Sequence, residues 1–193
     1  PRSDESQLLH YPNVNATALQ AKAMKIPQII TSIDSDDPQK EISKIQEILV
    51  VAQKNFGIEG IVHGGIQSEY QRKIFETISQ KLNLKTISPL WHINQFEYLR
   101  QLIELKFRYI ITSVSAEGLD DSWLGKEITL QDVDKLNLLS SKYGFNLSFE
   151  GGEAETFVIE CPIFSGTIKI TKANTIWDGY RGRFEITEAV LEH

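Results

Sequence analysis

The sequence has few residues that could cross-link the chain or anchor it in a membrane. Cysteine occurs once among the 193 residues, as Cys161. A single cysteine excludes a disulfide framework and a cysteine-based zinc site, and it is typical of a reducing compartment. No apolar run approaches the length of about 20 residues that a membrane-spanning helix needs, and no signal peptide is recognisable. We therefore expect a cytoplasmic protein without a membrane partner.

Positive charge is also scarce, since 20 Lys and Arg stand against 26 Asp and Glu, for a formal net charge of -6. Binding to nucleic acid without sequence preference depends on clustered Lys and Arg. The composition therefore argues against a nucleic-acid partner, although a local basic patch is compatible with it. The hydrophobic share of 41% suffices for one sizeable core and a small second lobe.

The two ends of the sequence do not resemble natural termini. The chain starts at Pro1 without a methionine, and Leu191 to His193 resemble the remnant of a histidine tag. We therefore expect residues 191–193 to carry no function, and we expect that an N-terminal piece is absent.

Helix and strand patterns alternate between about Ala16 and Val114. The predicted helices lie at 18–24, 37–57, 68–82 and 94–107, and the predicted strands at 27–32, 60–63, 84–88 and 108–114. This alternation favours an α/β fold with an open, mostly parallel sheet and helices on both faces.

The pattern changes after Ser113, where we place a domain boundary. A loop rich in Gly and Asp, at 116–127, leads into one more predicted helix. Strand-like runs follow at 145–149, 156–164, 166–171 and 183–189. Residues 1–113 are therefore predicted to form one domain, and residues 114–190 a smaller α+β lobe.

The stretch "VHGGIQSEYQ" is the first candidate site. A predicted strand ends at His63, Gly64 and Gly65 follow it, and then a helix begins near Ser68. Ligands of open α/β sheets bind at the carboxyl ends of strands, and glycines before a helix N-terminus let amides approach a phosphate. The alternative is structural, with Ser68 and Gln71 as a capping box and the glycines as a turn. Both interpretations stay open.

The stretch "FEGGEAET" holds three glutamates within six residues: Glu150, Glu153 and Glu155. As a purely structural element it is a hairpin connection whose carboxylates face water. If the carboxylates converge, each raises the pKa of the others unless a cation lies among them. Such a cluster could bind Mg²⁺ or a cationic substrate, or could act as an acid or base.

Trp91, in "SPLWHIN", is the third candidate. A tryptophan in such a loop commonly anchors a core or an interface. Beside a carboxylate cluster, its π-face would also suit a quaternary ammonium ligand.

Five stretches, taken in order, resemble one family. They are "LLHYPNVNATALQAKAMKIP", "HGGIQSEYQR", "ISPLW", "GLDDSWLGKEI" and "FEGGEAETFVIECPIF". The chain resembles the diphthine–ammonia ligase (diphthamide synthase) family of PP-loop ATP pyrophosphatases from about Ser6 to Ile186, and "EGGEAET" is the most specific stretch. The resemblance implies an adenine-nucleotide alpha-hydrolase-like fold. This sequence lacks the family's N-terminal Ser-Gly-Gly-x-Asp-Ser phosphate loop, so no residue here is assigned to pyrophosphate.

The resemblance also implies a reaction, with ATP and Mg²⁺ as cofactors and translation elongation factor 2 and ammonium as partners. The carboxylate of diphthine, a modified histidine of that factor, would attack the α-phosphate of ATP and release pyrophosphate. Ammonia would then attack the acyl-adenylate, release AMP and leave diphthamide. The trimethylammonium group of diphthine and ammonium itself are both cations, which a carboxylate-lined pocket would favour.

Residue roles follow from the same resemblance. Residues 1–113 would form an incomplete nucleotide-binding domain, and residues 114–190 the substrate-binding domain. The predicted catalytic residues are Glu150, Glu153 and Glu155; the predicted substrate-binding residues are Gly151, Gly152, Thr156 and Trp91; and the predicted nucleotide-binding residues are His63, Gly64, Gly65, Ser68 and Gln71. No residue is assigned to a metal.

Two alternatives stay open. A superfamily relative would adenylate another substrate, such as a tRNA base, but the single Cys161 disfavours thiolation by paired cysteines and the negative charge disfavours a tRNA surface. A non-catalytic module that binds a nucleotide or a partner is the other, and the missing phosphate loop favours it. The sequence predicts no oligomeric state.

Overall fold

The computed structural model describes residues 13–33, 35 and 37–193. The helices of this part are α1 (Thr17–Met24), α2 (Pro38–Phe56), α3 (Glu69–Lys81), α4 (Gln95–Glu104) and α5 (Leu130–Tyr143), with 3-10 helices at Val14–Ala16 and Asp121–Trp123. The strands are β1 (Gly60–Val62), β2 (Lys85–Ile87), β3 (Arg108–Val114), β4 (Ala154–Glu160), β5 (Thr167–Trp177) and β6 (Gly182–Glu192). None of the helices described is long and apolar enough to cross a membrane.

The chain forms two compact units. Described residues between 29 and 93 belong to the first unit, and residues 13–28 together with 94–193 belong to the second. In the first unit, β1 and β2 pair in parallel, with Val62 opposite Ile87. The helices of this unit start at side-chain caps, since Asp37 caps α2 and Ser68 caps α3.

The second unit is built on an antiparallel sheet in the order β4-β3-β6-β5. One buried cluster joins Ile111 of β3 to Leu99 of α4 and Leu136 of α5. A second cluster contains Ile110, the neighbour of Ile111 along β3, and Leu19 of α1 packs against it. The central strand β3 is therefore covered by apolar side chains from both clusters.

Residues 13–28 are fixed to the rest of this second unit by four long-range hydrogen bonds between described residues. The side-chain amide of Gln20 donates to the carbonyl of Val158 at 2.8 Å, and the amide of Ser165 donates to the carbonyl of Ala23 at 2.8 Å. Asn13 makes the other two, both to the backbone of β6. Helix α1 therefore belongs to the second unit, although it precedes the first unit in sequence.

The fold is mixed α/β, as predicted, but the arrangement of its strands differs from the prediction. The parallel sheet of the described residues has two strands, and β3, predicted to extend it, lies in the antiparallel sheet instead. The two compact units divide between Ile93 and Asn94, and the domain boundary near Ser113 stays a prediction. The position of β3 in the antiparallel sheet has a non-local cause, because β3 pairs with β4 and β6, which follow it by 40 residues or more. The assignment of nucleotide and substrate to separate domains stays a prediction.

Two predicted strands are not strands, and one predicted tag segment is part of a strand. Residues 27–32 are largely exposed and form no strand ladder with the other residues that the structure describes. Residues 145–149 do alternate in burial as a strand would, but they form a turn in which Phe149 has a φ of 63°. Leu191 and Glu192 are the last residues paired in β6.

Candidate functional site

The first candidate site lies where β1 and β2 end. His63 follows β1, and its Nε2 atom lies 2.6 Å from the hydroxyl oxygen of Ser88, which follows β2. The amide of Gly65 donates to Nδ1 of the same ring at 3.3 Å. Because Nδ1 accepts, the ring proton is on Nε2 and is donated to Ser88. His63 thus links the carboxyl ends of the two parallel strands.

The imidazole of His63 is held in its neutral form. The ring is buried and stacks on Phe75, with centroids 5.1 Å apart. Burial lowers the pKa of His63; the charge of Glu76 opposes this effect, and the charge of Arg72 adds to it. A neutral, stacked and doubly hydrogen-bonded ring fits the structural interpretation of this histidine well, and its contact with a nucleotide stays a prediction.

The remaining predicted nucleotide-binding residues lie in the same loop and the first turn of α3. Ser68 accepts a hydrogen bond from the amide of Gln71 at 3.3 Å and so caps the helix. Gly65 is buried, and a Cβ atom there would lie 3.0 Å from Nδ1 of His63. Gly64 is exposed, and a Cβ atom there would meet no atom within 4 Å. A side chain at Gly65, unlike one at Gly64, would thus require the ring of His63 to shift slightly.

Trp91 lies in the same unit, and the guanidinium of Arg72 lies 5.2 Å from its ring centroid. Arg72 also pairs with Glu69 at 2.8 Å and with Glu76 at 2.6 Å. The amide of His92 donates to the carbonyl of Ile66 at 2.8 Å, which joins the tryptophan loop to the glycine loop. One face of Trp91 thus already carries a cation of the protein itself.

In the second unit, the loop formed by residues 146–153, here called the acidic loop, is closed by one of its own glutamates. Oε1 of Glu153 accepts the amide of Asn146 at 2.9 Å, and Oε2 accepts the amide of Gly151 at 2.8 Å. The amide of Gly152 donates to the carbonyl of Phe149 at 3.1 Å. In this conformation the amides of both predicted substrate-binding glycines are used inside the loop.

The acidic loop is also fixed from outside, by residues that the sequence interpretation missed. The hydroxyl of Ser115, just after β3, donates to the carbonyl of Gly152 at 2.6 Å, and its amide donates to the carbonyl of Glu153 at 2.8 Å. Gln95 of α4 accepts the amide of Ser148 at 3.3 Å. Ser115 is 37 residues from Gly152 in sequence, so no local pattern could have indicated this contact.

Glu155 and Thr156 lie on β4 and face opposite sides of the sheet. Glu155 is half-buried and lies opposite Ser113, which also lies opposite Arg183 of β6. Glu150 and Glu153 are half-buried as well, and Thr156 is exposed. The structure therefore brings all predicted residues of the "EGGEAET" stretch to one end of the antiparallel sheet. Among the residues described, no group of three or more His, Cys, Asp or Glu side chains is arranged to hold a metal ion.

Two family models match the chain. The model of the diphthamide synthase N-terminal domain matches residues 1–86, and that of the diphthamide synthase C-terminal domain matches residues 94–191. The chain belongs to the diphthamide synthase family. This confirms the resemblance found in the sequence. The gap between the two matches includes the division of the units after Ile93, but α1 lies within the N-terminal match and packs in the second unit.

Proteins named diphthine–ammonia ligase are similar to the chain over most of its length. The one from Homo sapiens is 34% identical over 192 residues, which cover 90% of this chain and 70% of the human protein. The one from Mus musculus is 35% identical over 161 residues, or 82% of this chain and 58% of the mouse protein. That from Saccharomyces cerevisiae is 31% identical over 142 residues, and the match spans 20% of it. The chain thus spans only part of each of these relatives.

Proposed function

We propose that the protein is an ATP-dependent ligase that amidates diphthine on translation elongation factor 2 to diphthamide, in the cytoplasm. The observation that carries this proposal is the acidic loop, because the stretch most specific to the family forms a defined loop at one end of the sheet. Membership of the diphthamide synthase family and the names of the similar proteins support the same reaction.

The reaction has two balanced steps. A carboxylate oxygen of diphthine attacks the α-phosphorus of ATP, and the bond from this phosphorus to pyrophosphate breaks. The nitrogen of ammonia then attacks the acyl carbon, AMP leaves with its oxygen, and one proton is lost to a base. Activation of the carboxylate is needed because a carboxylate itself has no leaving group that ammonia could displace.

We assign the acceptor side of this reaction to Glu150, Glu153 and Glu155, with Gly151, Gly152 and Thr156 near them. Carboxylates attract both cations of the reaction, the trimethylammonium group of diphthine and ammonium. Both oxygens of Glu153 bind its own loop. We therefore favour Glu150 or Glu155 as the group that takes the proton from ammonium.

We assign the nucleotide side to His63, Gly64, Gly65, Ser68 and Gln71. These residues lie at the carboxyl ends of parallel strands and at the start of α3, where an anion is favoured, and we propose that β1 and β2 belong to a nucleotide-binding sheet of the alpha-hydrolase-like type. The described residues do not fit a dedicated Mg²⁺ site, so no step is assigned to this ion. Trp91 carries Arg72 on one face, so any contact of Trp91 with trimethylammonium would use its other face.

The test is a reconstituted reaction with this protein, elongation factor 2 bearing diphthine, ATP and ammonium. We expect diphthamide by mass spectrometry of the modified peptide, together with AMP in equal amount. AMP formed with tRNA instead of elongation factor 2 would point to adenylation of another substrate. Nucleotide binding without AMP formation would point to a non-catalytic module.

The proton acceptor is tested with Glu150→Gln and Glu155→Gln, which keep the size of each side chain and remove its charge. If one of them is the proton acceptor, that variant should still release pyrophosphate but should form little diphthamide. Full product yield from both variants would contradict the assignment of the base.

A further inference from the structure

The turn between β5 and β6, residues 178–181, emerges at the same end of the sheet as the acidic loop. Both β4 and β6 run antiparallel to β3, so both begin where β3 finishes. Val114 of β3 lies opposite Ala154 of β4 on one side and opposite Gly182 of β6 on the other. Since neighbouring strands are about 4.8 Å apart, the starts of β4 and β6 lie about 10 Å apart.

The turn is held in a single shape by its first residue. Oδ1 of Asp178 accepts the amide of Tyr180 at 2.8 Å and the amide of Arg181 at 2.7 Å. The amide of Asp178 donates to the carbonyl of Arg181 at 3.1 Å, and Gly179 takes a φ of 100° between them. The hydrogen bonds from Arg181 and Tyr180 lower the pKa of the Asp178 carboxyl, so the carboxylate that orders the turn is present at neutral pH.

The ordered turn exposes side chains of the kind that protein interfaces use. Tyr180 is 57% exposed, and Ile176 at the base of the turn is 45% exposed. Arg181 is also exposed. Trp177, in contrast, packs against the apolar cluster of the unit and fixes the base of the turn. Tyrosine and arginine are enriched among the few residues that contribute most of the binding energy at protein interfaces, and a rigid turn loses little entropy when it binds.

We propose that residues 176–181 form a docking surface for the protein that carries the acceptor side chain. The inference rests on the proposed function. In the proposed reaction, the acceptor is one side chain of a folded protein. The surface of that protein around the acceptor side chain must therefore contact the enzyme near the acidic loop. A stable interface covers about 800 Å² on each partner, which reaches well beyond 10 Å from its centre. The turn therefore lies within the radius of an interface centred on the acidic loop. A small free acceptor would be too small to contact the turn.

The experiment measures the kinetics of the full chain with elongation factor 2 bearing diphthine. We expect Tyr180→Ala and Arg181→Ala each to raise KM for elongation factor 2 about tenfold, the effect of losing an important interface residue. The kcat at saturating elongation factor 2 and the KM for ATP should stay near the wild-type values. Leu138→Ala, which removes a 71% exposed side chain from α5, is the matched control and should change none of these parameters.

A binding measurement separates this inference from the proposed function. Immobilised wild-type protein should bind elongation factor 2 bearing diphthine, and both turn variants should lose most of this binding while their melting temperature stays unchanged. Diphthamide formation with unchanged KM and binding in both variants would overturn the docking surface and leave the ligase intact. If binding depends on the turn but no diphthamide is formed, the result would support the docking surface and count against the proposed ligase function. A wild-type protein that neither binds nor modifies elongation factor 2 would overturn both.

Discussion

The amide of Gly151 donates a hydrogen bond to Oε2 of Glu153, its neighbour but one in the acidic loop, across 2.8 Å. Oε1 of the same carboxylate accepts the amide of Asn146 at 2.9 Å. One side chain thus satisfies two backbone donors on opposite sides of the loop. The three glutamates of "EGGEAET" are therefore not equivalent, because Glu153 shapes the loop that carries Glu150.

The first prediction concerns the stability of this loop. In Glu153→Ala, two amides lose their acceptor, and we expect the free energy of unfolding to fall by about 2 kcal/mol. In Glu153→Gln, the amide oxygen can still accept one of the two bonds, so we expect about half of that loss. Urea denaturation followed by circular dichroism measures both values.

Glu104→Ala is the control for this measurement. Glu104 is an exposed glutamate at the end of α4 in the same unit, and its replacement should change stability by less than about 0.5 kcal/mol. If Glu153→Ala were as stable as Glu104→Ala, Glu153 would not hold the loop and would again be a candidate for proton transfer.

Local side-chain patterns predicted the starts of the helices correctly. The helix starts predicted at residues 37, 68 and 94 are confirmed, since the side chains of Asp37, Ser68 and Asn94 cap α2, α3 and α4. A cap is a bond between a side chain and an amide two or three residues away, so its whole cause lies within a short stretch of sequence.

The partners of β3 and the frame of the acidic loop were not predictable in this way. The strand character of residues 108–114 was correct, but apolar β-branched residues suit parallel and antiparallel pairing alike. Strand β3 is antiparallel because it pairs with β4 and β6, which lie far from it in sequence. Likewise, the acidic stretch was recognised from its residues, whereas its anchor Ser115 belongs to a different segment.

The second prediction concerns Asn13, which joins the segment before α2 to β6. Its side-chain amide donates to the carbonyl of Phe184 at 2.9 Å, and its oxygen accepts the amide of Ile186 at 2.7 Å. In Asn13→Ala, both bonds are lost, and alanine must also adopt a φ of 58°, so we expect a loss of about 3 kcal/mol. Denaturation with urea checks this value.

Asn13→Gly separates the two causes. Glycine adopts the positive φ without strain but lacks the amide group, so its loss should be about 1 kcal/mol smaller than that of the alanine variant. Equal stability of the wild type and both variants would show that this segment is not held on β6.

The third prediction concerns the pH dependence of stability. The pKa of His63 is lowered in the folded protein, so between pH 6.5 and that lower value the unfolded chain binds a proton that the folded chain does not. The contribution of neutral His63 is therefore complete above pH 6.5 and is lost as the pH falls below it. We expect His63→Gln to be less stable at pH 7 and to depend less on pH between 7 and 5.

Unfolding free energies at pH 5, 6 and 7 measure this dependence, and their slope against pH should be smaller in His63→Gln than in the wild-type protein. A wild-type slope in His63→Gln would show that the burial of His63 does not contribute to the pH dependence.

The fourth prediction uses the neighbouring glycines 64 and 65 to separate packing from nucleotide binding. A methyl group at Gly65 would press on Nδ1 of His63 at 3.0 Å, and we expect Gly65→Ala to lose about 1–3 kcal/mol of stability. A methyl group at Gly64 meets open space, so Gly64→Ala should fold with wild-type stability. If the backbone at Gly64 approaches a phosphate, this same variant should bind ATP more weakly in a calorimetric titration. Unchanged ATP affinity in Gly64→Ala would favour the structural interpretation of the whole glycine loop, because its other predicted contacts already have partners within the protein.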